Sequence, residues 1–235
     1  MGVETVVRTA RVCPGETVSG TVLLRAGESG GDVTGLTLEI VTYWGTGSGD
    51  GRRDCVIHRS ELLREYHLEA GEIRTVEFEL PLSFETPLTI VADRSLPGME
   101  VEIVTSVGID EGRYVAATTP ISVLPLPAQA EIHSALTSLG FRPHAAVLED
   151  GWLRGLEREL LVYQSVDFEA VPECSGINRV RVSLLAGEDG VEAIMESDPP
   201  SKAVYGSLYL DHSEVGEDDL IDAMREQLAK FGEGA

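Results

Sequence analysis

The chain has 235 residues, 43% of them hydrophobic and 25% charged, which is enough to bury real cores and leaves room for two sandwiches of roughly 100 residues each. Its 40 acidic residues face 18 basic ones, a formal net charge of −22 shared by both halves. Such a field repels phosphate backbones and anionic headgroups, so it speaks against nucleic acid and membrane surfaces as partners, and it suits a salt-rich cytoplasm.

Met1-Gly2-Val3-Glu4 lacks the basic region and apolar run of a signal peptide, and Val6 stands where a myristoylation motif wants Ser or Thr. No apolar stretch approaches the roughly 20 residues that span a bilayer, so a cytoplasmic location is expected. The first half then reads as strands. Leu36, Leu38, Ile40 and Trp44 fall on one face around Thr37, Glu39 and Thr42. Val76, Phe78 and Leu80 alternate with Thr75, Glu77 and Glu79, and Met99, Val101 and Ile103 with Glu100 and Glu102. That is the period of half-buried antiparallel strands. Pro14-Gly15, Gly30-Gly31, the run from Gly45 to Gly51 and Pro97-Gly98 supply the turns between them. On this pattern Trp44 is expected in the core.

Leu124-Pro125-Leu126-Pro127 cannot continue a central strand, which divides the chain into residues 1–124, a stiff linker at 125–127 and residues 128–235. Ile132, Ala135, Leu136 and Leu139 follow at helical spacing, with Gly140 where a C-terminal cap belongs. Strand patterns resume: Val180, Val182 and Leu184, then Val191, Ala193 and Met195 across a turn at 187–190. A second sandwich is expected there. The last element is a helix whose stripe is Leu220, Met224, Leu228 and Phe231, with Ser213 as its cap and Glu226 paired to Lys230. The fold class is therefore mainly β: two antiparallel sandwich domains, a short inter-domain helix and a C-terminal helix.

Three stretches, read together, carry a resemblance: Val12-Cys13-Pro14-Gly15-Glu16-Thr17-Val18-Ser19-Gly20-Thr21-Val22, Thr86-Pro87-Leu88-Thr89-Ile90, and Pro125-Leu126-Pro127 through Leu139-Gly140-Phe141-Arg142. The chain resembles the sporulation-control protein M family of bacteria and archaea. The resemblance covers the first 150 residues and thins beyond them. It implies an arrestin-like pair of sandwiches, no catalytic activity, and a regulatory adaptor role tied to sporulation or to cell-envelope and cytoskeletal control. Family members carry an Asp-rich run before the linker, whereas this chain reads Val115-Ala116-Ala117-Thr118-Thr119-Pro120.

No motif argues for chemistry. The loop Gly45-Thr46-Gly47-Ser48-Gly49-Asp50-Gly51 lacks the Gly-Lys-Ser/Thr and the following helix of a phosphate loop. His58, His67, His133, His144 and His212 are scattered, and Ser60, Ser83 and Ser106 lack a nucleophile elbow. Glu188-Asp189 and Glu217-Asp218-Asp219 miss the ligand spacing of a calcium loop, and Cys13, Cys55 and Cys174 form no metal or redox pair. No catalytic, cofactor-binding or metal residue is therefore assigned, and no cofactor. The expectation is a regulatory adaptor or scaffold acting through protein–protein contacts, monomeric or weakly self-associating. The alternative is a ligand- or cation-binding sandwich module whose loops, Asp50 and Asp54 among them, hold Ca²⁺ or a carbohydrate.

Overall fold

A computed structural model describes residues 1–45, 53–109, 113–151, 158–170, 177–197, 205–213 and 217–232. In the first half, β1 (Gly2–Val7), β3 (Thr17–Arg25) and β7 (Ile73–Pro81) form one antiparallel sheet in the order β1-β3-β7. The other sheet contains β2 (Arg11–Val12), β11 (Arg113–Val123), β10 (Val101–Ile109), β4 (Gly31–Trp44) and β5 (Arg53–Leu63) in that order, with β6 (Tyr66–Leu68) also on β4. A two-stranded ribbon, β8 (Ile90–Val91) and β9 (Arg94–Ser95), lies between β7 and β10 in the chain. The period-two apolar residues do what their spacing predicts. Val18, Val22 and Leu24 of β3 and Phe78 and Leu80 of β7 join Leu36, Leu38, Ile40 and Ile103 in one buried cluster.

Trp44 departs from that pattern, being only half-buried. The last β4 residue paired with β10 is Thr42, opposite Val101. Trp44 lies two residues past the cover that β10 provides. It packs instead with Met99 on a small separate cluster of Cys55, Leu148 and Val162, with the Arg53 guanidinium 5.2 Å from its ring centroid.

In the second half, β12 (Phe141–Asp150), β13 (Val162–Ala170), β14 (Arg179–Ala186), β15 (Gly190–Ser197) and β16 (Tyr205–Asp211) form one antiparallel meander. The strands are those expected of a sandwich. The layer facing them, among the described residues, is made by α1 (Pro127–Ser138) and α2 (Glu217–Gly232). Both helices carry an apolar stripe that must be covered, and the sheet has a matching face. Ile132, Leu136, Met224 and Leu228 share one buried cluster with Phe168, Val182 and Met195. The opposite face is polar, where Arg181 is held by Asp167 at 2.8 Å and Glu149 at 2.9 Å.

α1 starts with Pro127 at a position where its missing N–H costs nothing, and it ends as Gly140 turns to φ +90° and donates to Thr137 O at 3.0 Å. Ser213 does not cap α2: the helix begins at Glu217, and the Ser213 hydroxyl donates to Asp211 at 2.6 Å. Lys230 Nζ donates not to Glu226 but to Gln227 Oε1, at 3.0 Å.

His133 of α1 sits between the helices and the sheet, 4% exposed, its ring stacked on Phe168 with centroids 5.4 Å apart. Neither ring nitrogen has a hydrogen-bond partner. Burial alone pulls its pKa down from 6.5 to about 4.

Candidate functional site

The two halves are joined by a strap of side chains around residues 83–89. Thr89 N–H donates to Val123 O at 3.0 Å and its Oγ1 accepts from Val123 N–H at 2.8 Å, which ties the strap to β11. Leu88 N–H donates to Gln164 Oε1 at 3.0 Å, and Gln164 Nε2 returns a bond to Leu88 O at 2.7 Å. This amide pairing reproduces a strand contact between β13 and the first half. Glu85 then accepts the backbone N–H of Glu159 at 2.8 Å and of Leu160 at 3.0 Å, one on each carboxylate oxygen. Ser83 Oγ donates to Glu159 Oε2 at 2.7 Å and accepts from Glu85 N–H at 3.1 Å.

Holding residues 159 and 160 in place shapes a groove of about 890 Å³ between the halves. Its apolar surface comes from Trp44, Cys55 and Val56 on one side and Leu160 and Leu161 on the other. Leu161 is 82% exposed and Val56 45%, unusual for aliphatic side chains that line one concavity. Asp54, Asp150 and Glu159 are the acids of the lining and Arg158 its base. The Arg158 guanidinium lies 5.0 Å from the Tyr163 ring centroid and its Nη2 donates to Gly151 O, while Nη1 has no partner. Burial and then Glu149 push the Tyr163 phenol up to about 12, so it stays protonated and donates to Glu149 Oε2 at 3.1 Å. Burial raises the Cys55 thiol, which holds it in the unreactive, protonated form.

The family-like stretches lie around this strap rather than in the groove. Cys13 to Glu16 is a type II turn: Glu16 N–H donates to Cys13 O at 3.1 Å, and Gly15 at φ +80° takes the position that requires it. Thr86 and Leu88 are buried in the strap itself. Comparison with known proteins agrees: the Spo0M family model, described as SpoOM protein, matches residues 1–201. The chain belongs to the Spo0M family. The sporulation-control protein spo0M of Bacillus subtilis (strain 168) is 28% identical over 213 residues, 88% of this chain and 78% of that protein. The crystal structure of Spo0M, sporulation control protein, from Bacillus subtilis superposes with a TM-score of 0.84 at 23% identity, covering 98% of this chain and 100% of that one.

In this Spo0M-family chain the side chains weighed from sequence stay apart. His67 pairs with Asp32 at 2.6 Å, and that hydrogen bond raises its pKa; His144 lies 3.5 Å from Glu169; His212 contacts Gly187 O at 3.0 Å. Among the described residues no three His, Cys, Asp or Glu side chains gather as a metal ion would need. Asp54 stands on the groove rim, whereas Asp50, Cys174 and the glycine loop from Thr46 to Gly51 lie outside the described residues. Cys13 is a free thiol, its Sγ 3.6 Å from Pro125 O at the linker. No helix among the described residues is long and apolar enough to cross a membrane, which says nothing of a β-barrel. Sequence reasoning missed Glu85 and the 158–161 segment, since the two are more than seventy residues apart and neither carries a local pattern.

Proposed function

We propose that the chain is a non-enzymatic regulatory adaptor, built of two domains at residues 1–124 and 128–235 that meet across the linker at 125–127 and hold a protein partner in the groove between them. The observation that carries this reading is the groove itself: exposed Val56 and Leu161 within one concavity, backed by a strap of charge-assisted and amide hydrogen bonds that keeps its two walls in register. Exposed aliphatic surface gathered in this way is the usual mark of a docking site. The Bacillus subtilis relative is named for the control of sporulation, and a control function of that kind, carried out in the cytoplasm, is the role assigned here.

The test is affinity capture from the source organism's lysate at its own ionic strength, wild type against Leu161→Ser. Because Leu161 is exposed, the variant keeps the wild-type melting temperature. A protein held by the wild type and lost from the variant supports the reading. The same proteins on both baits refute it. So does turnover of an ester, phosphoester or glycoside by the purified chain that vanishes on one polar substitution.

A further inference from the structure

We infer that the groove takes a cationic, apolar segment of its partner: an extended stretch in which Lys or Arg alternates with aliphatic or aromatic residues. The inference rests on the docking reading above and names the chemistry of what docks. Trp44, Val56 and Leu161 offer apolar surface that a hydrophilic segment would leave wet. Around them stand Asp54, Asp150 and Glu159, and of these Asp54 and Asp150 are exposed, with no ion pair to a basic side chain among the described residues. Among the described residues the lining holds one base, Arg158, which lies over Tyr163 and bonds Gly151 O, and the neighbouring Arg53 is engaged over Trp44.

The same combination recurs along the seam. Glu85, whose carboxylate fixes the 159–160 wall, also lines a second groove of about 360 Å³, where Glu188, Asp189 and Glu192 stand with Leu185 and Tyr209 and, among the described residues, no Lys or Arg joins the lining. Carboxylates beside apolar walls focus their field, so such a seam steers cations and rejects anionic segments. In a chain of net charge −22 the field alone draws any polycation, and what distinguishes the groove is the apolar surface beneath the acids.

The experiment uses fluorescently labelled synthetic peptides with the full chain: Lys alternating with Leu, Lys alternating with Ser, and Glu alternating with Leu, followed by anisotropy. The Lys/Leu peptide binds at least about tenfold more tightly than either of the others. Asp54→Asn with Asp150→Asn weakens it about tenfold, as does Leu161→Ser. Glu61→Gln with Glu79→Gln, the same change in net charge at exposed strand positions elsewhere, leaves it unchanged. Equal weakening by both pairs of substitutions overturns the inference, because the peptide is then reading the overall field. Tightest binding of the Glu/Leu peptide, lost in Leu161→Ser, overturns the cationic assignment while leaving the groove as a docking site. Binding of every peptide that is indifferent to Leu161→Ser overturns both.

Discussion

Replacing His133 with Phe removes the one buried ionisable side chain, among the described residues, of the helix–sheet core of the second half. In the folded chain both ring nitrogens lack partners, and burial holds the pKa near 4 against an ordinary 6.5. Between those values the unfolded chain binds a proton that the folded chain refuses. Stability is therefore complete above pH 6.5, falls as the pH drops through that window, and levels off below about 4, where the folded state also protonates. The fall from 6.5 to about 4 is worth about 3 kcal/mol at about 1.4 kcal/mol per pH unit. Urea unfolding at pH 7 and at pH 4 measures it. The carboxylates titrate in wild type and variant alike, so the difference between the two pH dependences isolates the imidazole. We expect the wild type to lose about 3 kcal/mol more than His133→Phe between the two pH values, and the variant to be the more stable at pH 7, where it no longer buries two unsatisfied polar atoms. Parallel pH dependences would refute the reasoning, since they would mean that water or a polar partner reaches His133.

Three further outcomes are expected. Gly20→Ala places a Cβ 2.3 Å from Val6 O and 2.6 Å from the Phe78 ring, so it should cost about 1–3 kcal/mol in thermal unfolding; an unchanged midpoint would mean β1 is not seated on β3 as described. Glu85→Gln leaves only one acceptor for the Glu159 and Leu160 amides, and hydrogen exchange at those two positions should accelerate while exchange in β4 and β10 does not change. Trp44→Ala, at a half-buried site past the end of the β10 pairing, should cost about 1–2 kcal/mol by urea midpoint, well below the roughly 3–5 kcal/mol of a fully buried aromatic.

The contrast at Trp44 marks where sequence reading stops. Period-two alternation reports which side of a strand faces in, and at Leu36, Leu38 and Ile40 that suffices because β10 runs alongside. It cannot report where the neighbouring strand ends, and the fate of Trp44 depends on that alone. The same holds for the helices. The stripe of Leu220, Met224, Leu228 and Phe231 is legible in the spacing and is buried, but what it packs on is a long-range matter. Ser213 is the right residue type for a cap, yet Asp211 two residues away competes for its hydroxyl. The groove was invisible for a related reason: Glu85, which holds the backbone of Glu159 and Leu160, lies more than seventy residues away in the chain.

The stretches by which the chain resembles its family turn out to build the frame. The Cys13–Glu16 turn, Gly20 under Phe78, Thr89 on Val123 and the Pro125–Pro127 linker all act on backbone geometry, where few side chains can substitute for one another. Asp54, Asp150 and Leu161 answer to no such constraint, because each is exposed on an already fixed wall. Substitution at the frame positions disturbs the backbone geometry, whereas substitution at these exposed positions leaves it in place. The motifs identify the fold and the family, and on the docking reading proposed above it is at the exposed positions between them that substitution should alter binding and leave stability alone.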